Sequence, residues 1–193
     1  MPLLDHFNLI APHYEEFFPL RNSEKIISLV DLPFQGVLLD AGGGTGRVSQ
    51  ALAGLTSHLV IADISMGMLR QAKRKDSLEA VCTRTEQLPF PAESFHRVIM
   101  VDALHHVLDH HYTIRELWRV LKPGGRIVIE EPDIRHFSVK IVAIMEKLAL
   151  MRSHFISPPH IASLFGDLGA GVRIEAEGSS AWILIDKTPQ PVG

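Results

Sequence analysis

The sequence predicts an α/β fold: a doubly wound, mostly parallel sheet with helices on both faces and an antiparallel hairpin at its C-terminal end. Three observations predict it. Short apolar runs bounded by glycine alternate with amphipathic stretches of helical period. One run leads directly into a glycine-rich loop, and the last two runs flank the turn sequence Gly178-Ser179-Ser180. The length of 193 residues fits one domain, residues 1–193.

The first half of the chain alternates helix and strand signals. Ser23 can cap a helix, so residues 1–30 are expected to be helical and separate from a sheet core at 36–188. The run at 36–40 is apolar and ends in glycines, which is typical of a buried strand. A helix is expected at 46–53. Ser65 can cap another helix after the second strand. The first three strands are predicted at 36–40, 58–63 and 79–83.

The second half repeats the alternation and then changes to a hairpin. The segment at 122–125, Lys-Pro-Gly-Gly, is expected to stop a helix and turn the chain. Right-handed crossovers make the parallel part doubly wound. Helical spacing of Met145, Leu148 and Met151 favours core positions. The later strands are predicted at 97–101, 126–130, 172–177 and 181–186, and the later helices at 112–121, at 137–152 and from 157 to near 169.

Composition excludes several classes of protein. Hydrophobic residues make up 46% and charged residues 21%, which suits a packed core and argues against disorder. The net charge is −3, and nucleic-acid-binding proteins usually carry a basic patch, so we expect no nucleic-acid partner. The basic cluster at 70–75 is interpreted as the solvent-exposed C-terminal end of a helix.

Cysteine content and hydropathy predict a cytoplasmic protein. Cys82 is the single cysteine, so an internal disulfide is excluded and a reducing compartment is expected. Its apolar neighbours predict a buried strand position. The N-terminus lacks the basic and apolar regions of a signal peptide, and no apolar run reaches the ~20 residues of a membrane span.

The loop at 40–46 is the strongest functional signal. Asp40 ends the first predicted strand, and Gly42, Gly43, Gly44 and Gly46 follow it. Glycines there allow sharp turns and close approach of a ligand. Ligands of such sheets bind beyond the carboxyl ends of the strands, near the N-terminus of the following helix.

The same loop argues against a dinucleotide. The dinucleotide fingerprint is G-x-G-x-x-G, but counting from Gly42 its last position is Arg47. The Asp40 carboxylate would repel a pyrophosphate and suit a ligand with a cationic group. Asp63 ends the second strand, 63 − 40 = 23 positions later, a distance at which an acid can hold ribose hydroxyls.

The chain resembles the class I S-adenosylmethionine-dependent methyltransferases, which have a Rossmann-like fold. It is closest to the compact group that includes the ubiquinone/menaquinone-pathway C-methyltransferases. The resemblance covers nearly the whole chain, and the matching motifs follow in the family's order. They are 37–46 (VLLDAGGGTG), 63–65 with Met68 and Leu69, 85–90 (TEQLPF), 103–106 (ALHH), 121–125 (LKPGG) and an N-terminal lid at 7–15.

The resemblance implies S-adenosylmethionine as cofactor and a role for each matched residue. The backbone around Gly42 and Gly44 would hold its methionine part, and Asp63 its ribose diol. The implied cofactor site comprises Tyr14, Asp40, Gly42, Gly44, Gly46, Asp63, Ile64, Met68, Thr85, Glu86, Val101 and Asp102. The family usually has aspartate where Arg84 stands, and Arg84 cannot accept the hydrogen bond of the adenine amino group.

His105 and His106 are the candidate general bases, because they follow the fourth strand and histidine titrates near neutral pH. The alternative is that each histidine packs or caps a helix. A metal site is not expected, because the i, i+4 spacing of a zinc motif fits only His106 and His110. The acids Glu130, Glu131 and Asp133 are interpreted as solvated loop residues, with a substrate rim as the alternative.

These features predict methyl transfer from S-adenosylmethionine to a small-molecule acceptor. Few residues lie outside the core, so acceptor contacts would come from 1–30 and from the apolar helix at 137–152, which indicates an aromatic or lipophilic acceptor. The alternatives are a non-catalytic S-adenosylmethionine-binding module and, less favoured, a nicotinamide-dependent oxidoreductase.

Overall fold

Seven strands form one sheet in the computed structural model, which describes residues 6–20, 22–75, 78–148 and 153–189. The strands are β1 (Phe34–Ala41), β2 (Thr56–Asp63), β3 (Glu79–Cys82), β4 (Phe95–Val101), β5 (Leu121–Pro132), β6 (Gly171–Glu177) and β7 (Ser180–Asp186). Their order is β3-β2-β1-β4-β5-β7-β6. Strand β7 is antiparallel to both neighbours, and the other pairings are parallel. The predicted fold class is therefore confirmed.

The helices connect the strands and cover both faces of the sheet. They are α1 (His6–Ile10), α2 (Tyr14–Phe17), α3 (Ser23–Val30), α4 (Arg47–Leu52), α5 (Met66–Ala72), α6 (His110–Val120), α7 (Phe137–Leu148) and α8 (Pro158–Ser163). Short 3₁₀ turns lie at Ala11–His13, Leu104–His106 and Gly166–Leu168. No helix of the described residues is long and apolar enough to cross a bilayer.

Two apolar clusters hold the helices to the sheet. Strand β1 shows the alternation that a two-sided strand requires: Leu38 belongs to one cluster and Leu39 to the other, and both are fully buried. The Leu38 side packs against α3, α4 and α5, and the Leu39 side against α6 and α8. The segment 23–30 is thus part of the core, whereas α1 and the 3₁₀ turn at 11–13 contact α5, and Phe7 of α1 and Tyr14 of α2 line the crevice described below.

Two helix caps were predicted, and one of them is wrong. Ser65 does cap α5, accepting a hydrogen bond from Met68 N at 3.4 Å. Ser23 instead is the first residue of α3, and Asn22 is the N-cap residue with φ +63° and no side-chain cap hydrogen bond. The helix therefore begins at Ser23, one residue earlier than a Ser23 cap would place it, and the left-handed backbone of Asn22 is not a preference that the sequence signals.

Burial differs from the prediction at several positions. Cys82 is exposed, because β3 is the edge strand of the sheet. Glu131 and Asp133 are only 3% and 1% exposed, so their interpretation as solvated acids is wrong. Leu148 is 73% exposed, and Met145 is also exposed, so they are not core residues. Residues 149–152, the predicted end of α7 that includes Met151, lie outside the described residues.

Candidate active site at the carboxyl ends of the strands

A crevice opens where β1 meets its two neighbours. Strand β1 lies between β2 and β4, so the strand order changes direction there, which is where such sheets bind ligands. The crevice is lined by Phe7, Tyr14, Gly42, Gly44, Asp63, Ile64, Met68, Thr83, Arg84, Thr85, Glu86, Met100, Asp102, Ala103, His106, Val107 and Leu108. An adjoining recess shares four of these residues and adds Asp40, Gly43, Thr45, Arg47, Val48 and Val101.

Most of the predicted site residues line this space. Asp40 and Val101 line the recess alone, whereas Gly46 and His105 line neither part. Gly46 has φ +73°, and a Cβ there would lie 2.8 Å from Leu78 Cδ1 and 2.9 Å from Ile61 Cδ1. Its local effect is to let the loop and α4 pack closely on the sheet.

Gly42 and Gly44 give the crevice a wall of bare backbone. Their φ angles are +74° and +56°, in the left-handed region that favours glycine. A Cβ on Gly42 would lie 2.7 Å from Ala103 Cβ. A Cβ on Gly44 would project into open space, with Asp63 Oδ2 as its nearest neighbour at 3.9 Å. A ligand can therefore approach this backbone closely, which fits the cofactor that the sequence resemblance implies.

Asp63 is oriented by the backbone on both of its carboxylate oxygens. Oδ2 accepts a hydrogen bond from Gly44 N at 2.9 Å, and Oδ1 accepts one from Ser65 N at 2.7 Å. A carboxylate oxygen has more than one acceptor site, so each can accept a further hydrogen bond from a ligand. The loop after β1 and the end of β2 thus present one preoriented acceptor to the crevice.

Asp40 lies beneath the loop rather than in the open crevice. It is 1% exposed, and its Oδ2 accepts a hydrogen bond from Ser49 Oγ at 2.6 Å. A Cβ on Gly43 would come within 2.6 Å of the Asp40 Cγ, so the loop covers the carboxyl group. Burial raises the pKa of Asp40 to about 6, although the Ser49 hydrogen bond opposes the shift. At neutral pH the group places a negative charge under the recess.

Asp102 contributes a second acid at the junction of crevice and recess. It follows β4 with φ +55°, a strained backbone for a non-glycine residue, and its N–H donates to Glu130 O at 2.9 Å. Burial raises its pKa, and the charge of His105 opposes this. Strain of this kind is found at functional sites.

The other end of the crevice combines apolar and polar groups. Ile64 is 59% exposed at the rim, whereas Met68 is buried beneath it. The Thr85 hydroxyl lies 3.3 Å from that of Thr113. Glu86 Oε1 accepts a hydrogen bond from Leu108 N at 2.6 Å, which ties the loop after β3 to the segment after β4. Arg84 lines the same end of the crevice.

The N-terminal segment is attached over the crevice by hydrogen bonds and ion pairs. Glu15 accepts a hydrogen bond from Thr45 Oγ1 at 2.6 Å and pairs with Lys75. Arg47 donates to Phe18 O at 2.7 Å, and Asn8 Oδ1 accepts from Ser65 Oγ at 3.2 Å. These contacts join α1 and α2 to the glycine loop and to α5.

Tyr14 is the residue that this attachment places in the crevice wall. Its ring packs at 5.0 Å from that of Phe18, and the Arg47 guanidinium lies 5.8 Å from its centre. Burial, with a further effect from the charge of Asp102, raises the pKa of Tyr14 to about 12. The phenol is therefore neutral and a hydrogen-bond donor at physiological pH.

The two histidines occupy different environments. His106 lines the crevice, with the Phe7 ring at 4.9 Å in an edge-on arrangement. His105 is 3% exposed and its Nδ1 donates to Glu131 Oε2 at 2.6 Å. Burial disfavours the charged imidazole, but the charge and hydrogen bond of Glu131 outweigh it and raise the pKa of His105 to about 9. At neutral pH His105 is protonated, and a protonated imidazole cannot accept a proton.

Two acids that the sequence analysis did not place among the cofactor or catalytic residues organise this region. Glu131 also accepts hydrogen bonds from Ala103 N at 3.0 Å and Leu104 N at 2.6 Å, so it supports the turn that carries the histidines. Glu146, on α7, lies close to His105 and His106. The position of Glu131 at the end of a predicted strand was a usable signal, but nothing local indicated that α7 would place Glu146 there.

Comparison with known proteins finds methyltransferases by sequence and by structure. Residues 39–129 match the family model described as a methyltransferase domain. A demethylmenaquinone methyltransferase of Clavibacter sepedonicus is 44% identical over 98 residues, which are 49% of this chain and 40% of that protein. A ubiquinone/menaquinone biosynthesis C-methyltransferase of Escherichia coli is 33% identical over 150 residues, 72% of this chain and 57% of that protein. The chain thus spans about half the length of the curated relatives that it matches.

Solved structures show the same fold. An S-adenosylmethionine-dependent methyltransferase of Thermotoga maritima superposes with a TM-score of 0.79 at 21% identity, covering 96% of this chain and all (100%) of that one. A chain from the complex of the Haloferax volcanii Trm112 methyltransferase activator with a methyltransferase gives a TM-score of 0.80 at 17% identity, covering 96% and 99%. Residues 39–129 thus match a methyltransferase domain, the fold is that of solved S-adenosylmethionine-dependent methyltransferases, and in sequence the chain is similar to the C-methyltransferases of ubiquinone and menaquinone biosynthesis.

Proposed function

We propose that this chain transfers the methyl group of S-adenosylmethionine to a small-molecule acceptor. The observation that carries the proposal is the Asp63 carboxylate, which stands beside Gly44 with both oxygens held by backbone N–H groups. A carboxylate in this place is suited to accept hydrogen bonds from two neighbouring ribose hydroxyls.

The predicted cofactor residues divide the crevice into three parts. We assign the backbone at Gly42 and Gly44, with Val101 and Asp102, to the methionine part, and Asp63 to the ribose. Asp40 acts on the methionine part through its charge, since the loop covers it.

The adenine part is assigned to the other end of the crevice. There Ile64 and Met68 supply apolar surface, and Thr85 and Glu86 supply polar contacts. Arg84 stands where the family's aspartate would accept a hydrogen bond from the adenine amino group, and Arg84 itself cannot accept it.

The chain's own contribution to methyl transfer is positioning and exclusion of water. When bound, S-adenosylmethionine supplies an electrophilic methyl group on a positively charged sulfur. Asp40 and Asp102 make the methionine end of the site negative, which favours a cationic ligand. Tyr14 and Phe7 cover the crevice from the N-terminal segment and limit access of water. His106 is the candidate base where the acceptor must lose a proton, and His105 is a positioning residue held by Glu131.

We propose an aromatic or lipophilic acceptor. Helix α7 presents exposed apolar side chains, among them Ile141, Ile144 and Met145, while its Glu146 approaches the histidines. Relatives named for ubiquinone and menaquinone biosynthesis support an aromatic ring as the methyl acceptor.

The proposal is tested by incubating the purified chain with S-adenosylmethionine carrying a deuterated methyl group and a panel of phenols, quinols and aromatic amines. We expect S-adenosylhomocysteine to form only when a suitable acceptor is present, together with an acceptor product heavier by the labelled methyl group. Cofactor binding without turnover over the whole panel would support the binding-module alternative. Binding of NAD instead would support the oxidoreductase alternative.

The N-terminal segment is expected to slow cofactor release. Replacing Glu15 with glutamine removes its ion pair with Lys75. Because Glu15 is partly exposed, the pair is worth at most about 1 kcal/mol, and we expect the dissociation rate of S-adenosylmethionine to rise about fivefold. Stopped-flow fluorescence measures this rate. Glu16→Gln is the matched control, since the Glu16 side chain is 72% exposed. An equal effect of both substitutions would contradict the claim that Glu15 holds the N-terminal segment over the cofactor.

Cofactor affinity is expected to fall at acid pH through Asp40. Its raised pKa, about 6, means that it loses its negative charge as the pH falls through 6. We expect the Kd of S-adenosylmethionine to rise by up to about tenfold per pH unit below that value. Adenosine lacks the sulfonium and ammonium groups, so its Kd should change little over the same range. Calorimetric titrations at several pH values, repeated on Asp40→Asn, measure both dependences, and parallel curves for the two ligands would contradict this role.

A further inference from the structure

We propose that His105, His106 and Glu146 form a site for a divalent transition-metal cation, of which zinc is the representative, in the wall of the crevice. The use of the metal in the reaction rests on the proposed function, whereas metal binding is tested without it. Each of the three side chains offers one ligand atom, and these atoms all lie within 4.8 Å of one another. The residues come from two elements, the 3₁₀ turn after β4 and helix α7, so the fold brings them together.

His105 has a carboxylate hydrogen-bonded to its ring, as metal-binding histidines commonly do. Its Nδ1 donates to Glu131 Oε2 at 2.6 Å, so a metal would bind at Nε2 and displace the proton that this nitrogen carries at neutral pH. A carboxylate behind a ligating imidazole sets its tautomer and orientation. The Phe155 ring stacks on His105 at 4.2 Å with an interplanar angle of 12°, so the ring is also held by packing.

Glu146 has an oxygen that no group of the described residues satisfies. Its Oε2 is buried and has no hydrogen-bond partner in the described part of the chain. A buried carboxylate oxygen without a partner is costly, and a cation would satisfy it. Asp102 and Glu131 lie within electrostatic range of the same histidine, which makes the surroundings attractive to a cation.

The donor set indicates the class of metal. Two imidazole nitrogens and one carboxylate oxygen suit Zn²⁺ or Fe²⁺ rather than Mg²⁺ or Ca²⁺. Zinc bonds of about 2.0–2.1 Å in a tetrahedron require ligand atoms about 3.3 Å apart, so ligand atoms that lie within 4.8 Å of one another must approach by up to about 1.5 Å when a metal binds.

Three protein ligands leave one position open, and this position has a use in the proposed reaction. His106 lines the crevice, so a metal bound to it would lie at the crevice wall, and His106 would then act as a ligand in place of the base role proposed for the metal-free site. A metal there would bind and orient an oxygen substituent of the acceptor, for example a phenolic or quinol oxygen. The site thus favours acceptors with an oxygen next to the atom that is methylated.

Metal binding is tested on untagged, chelator-treated protein without acceptor. We expect Zn²⁺ to bind with one-to-one stoichiometry by calorimetry, and Co²⁺ to give the visible absorption of a low-symmetry site. His106→Gln and Glu146→Gln should each weaken binding by at least about tenfold, because each removes a ligand. His160→Gln, which alters an exposed histidine of α8, is the control and should bind as the parent does.

Two outcomes would overturn the site: no stoichiometric Zn²⁺ binding, or binding that Glu146→Gln leaves unchanged. Circular dichroism and S-adenosylmethionine binding of each variant show that it is folded. If the cofactor binds and the metal does not, the metal site fails and the proposed function stands. If the metal binds and the cofactor does not, the proposed function fails and the site stands.

Discussion

Replacing Gly44 with alanine is expected to weaken S-adenosylmethionine binding by at least about 100-fold, or about 2.8 kcal/mol. The new Cβ would project into the crevice near Asp63 Oδ2, where the cofactor is proposed to contact the backbone of the glycine loop. It would also disfavour the left-handed backbone that lets Gly44 N donate to Asp63. Gly44→Ala would therefore fill space that the cofactor needs and weaken the hydrogen bond that orients Asp63. Isothermal calorimetry measures the loss.

Gly54→Ala is the matched control for the backbone. Gly54 has φ +81°, so alanine there meets the same kind of strain, but its Cβ would have no neighbour within 4 Å and Gly54 does not line the crevice. Both variants should lose about 1 kcal/mol of unfolding free energy. Only Gly44→Ala should lose the cofactor. Equal cofactor affinity of the two variants would exclude the glycine loop as the binding wall.

Replacing Asp63 with asparagine is expected to have the second-largest effect, also near 100-fold on cofactor affinity, because hydrogen bonds to a charged group contribute about 1.5–3 kcal/mol. Asparagine keeps one carbonyl oxygen, so it can accept from either Gly44 N or Ser65 N but no longer from both. The ribose loses a charged acceptor at the same time. Adenosine should therefore lose affinity with S-adenosylmethionine, in contrast to its behaviour in the Asp40 experiment.

Glu79→Gln is the control for loss of an acidic group nearby. Glu79 lies on β3, the strand beside β2, and pairs with His58 on the exposed side. Its replacement should leave both ligands unaffected. If adenosine binds Asp63→Asn as it binds the parent, Asp63 does not hold the ribose.

The sheet was predictable because its signals are local. Apolar runs of strand length, the glycines after Asp40 and the turn after Glu177 each depend on a few consecutive residues, and strands β1 and β2 lie where these signals place them. The glycine loop and both strand-end acids of the candidate site follow from the same signals.

Features that depend on distant contacts were not predictable. Cys82 is exposed because β3 is at the edge, and strand order is a property of the whole chain. Glu131 is buried because it binds His105, which is 26 positions away. Asp40 is covered because Gly43 folds over it, so its carboxylate acts through its charge rather than by projecting into the crevice.

Helix α7 shows the limit of periodicity. Its apolar spacing predicts burial, but in the structure Val139 is the buried residue of the helix and Leu148 faces solvent. Periodicity tells which residues share a face but not whether another element covers that face. The approach of Glu146 to the histidines is missed for the same reason.

The most direct test of the central claim, that this acid-lined crevice selects a sulfonium nucleoside over a dinucleotide, is calorimetric titration of the parent protein with S-adenosylmethionine in the presence and absence of excess NAD. We expect one S-adenosylmethionine to bind per chain with the same Kd under both conditions. Absence of S-adenosylmethionine binding, or its displacement by NAD, would contradict the claim.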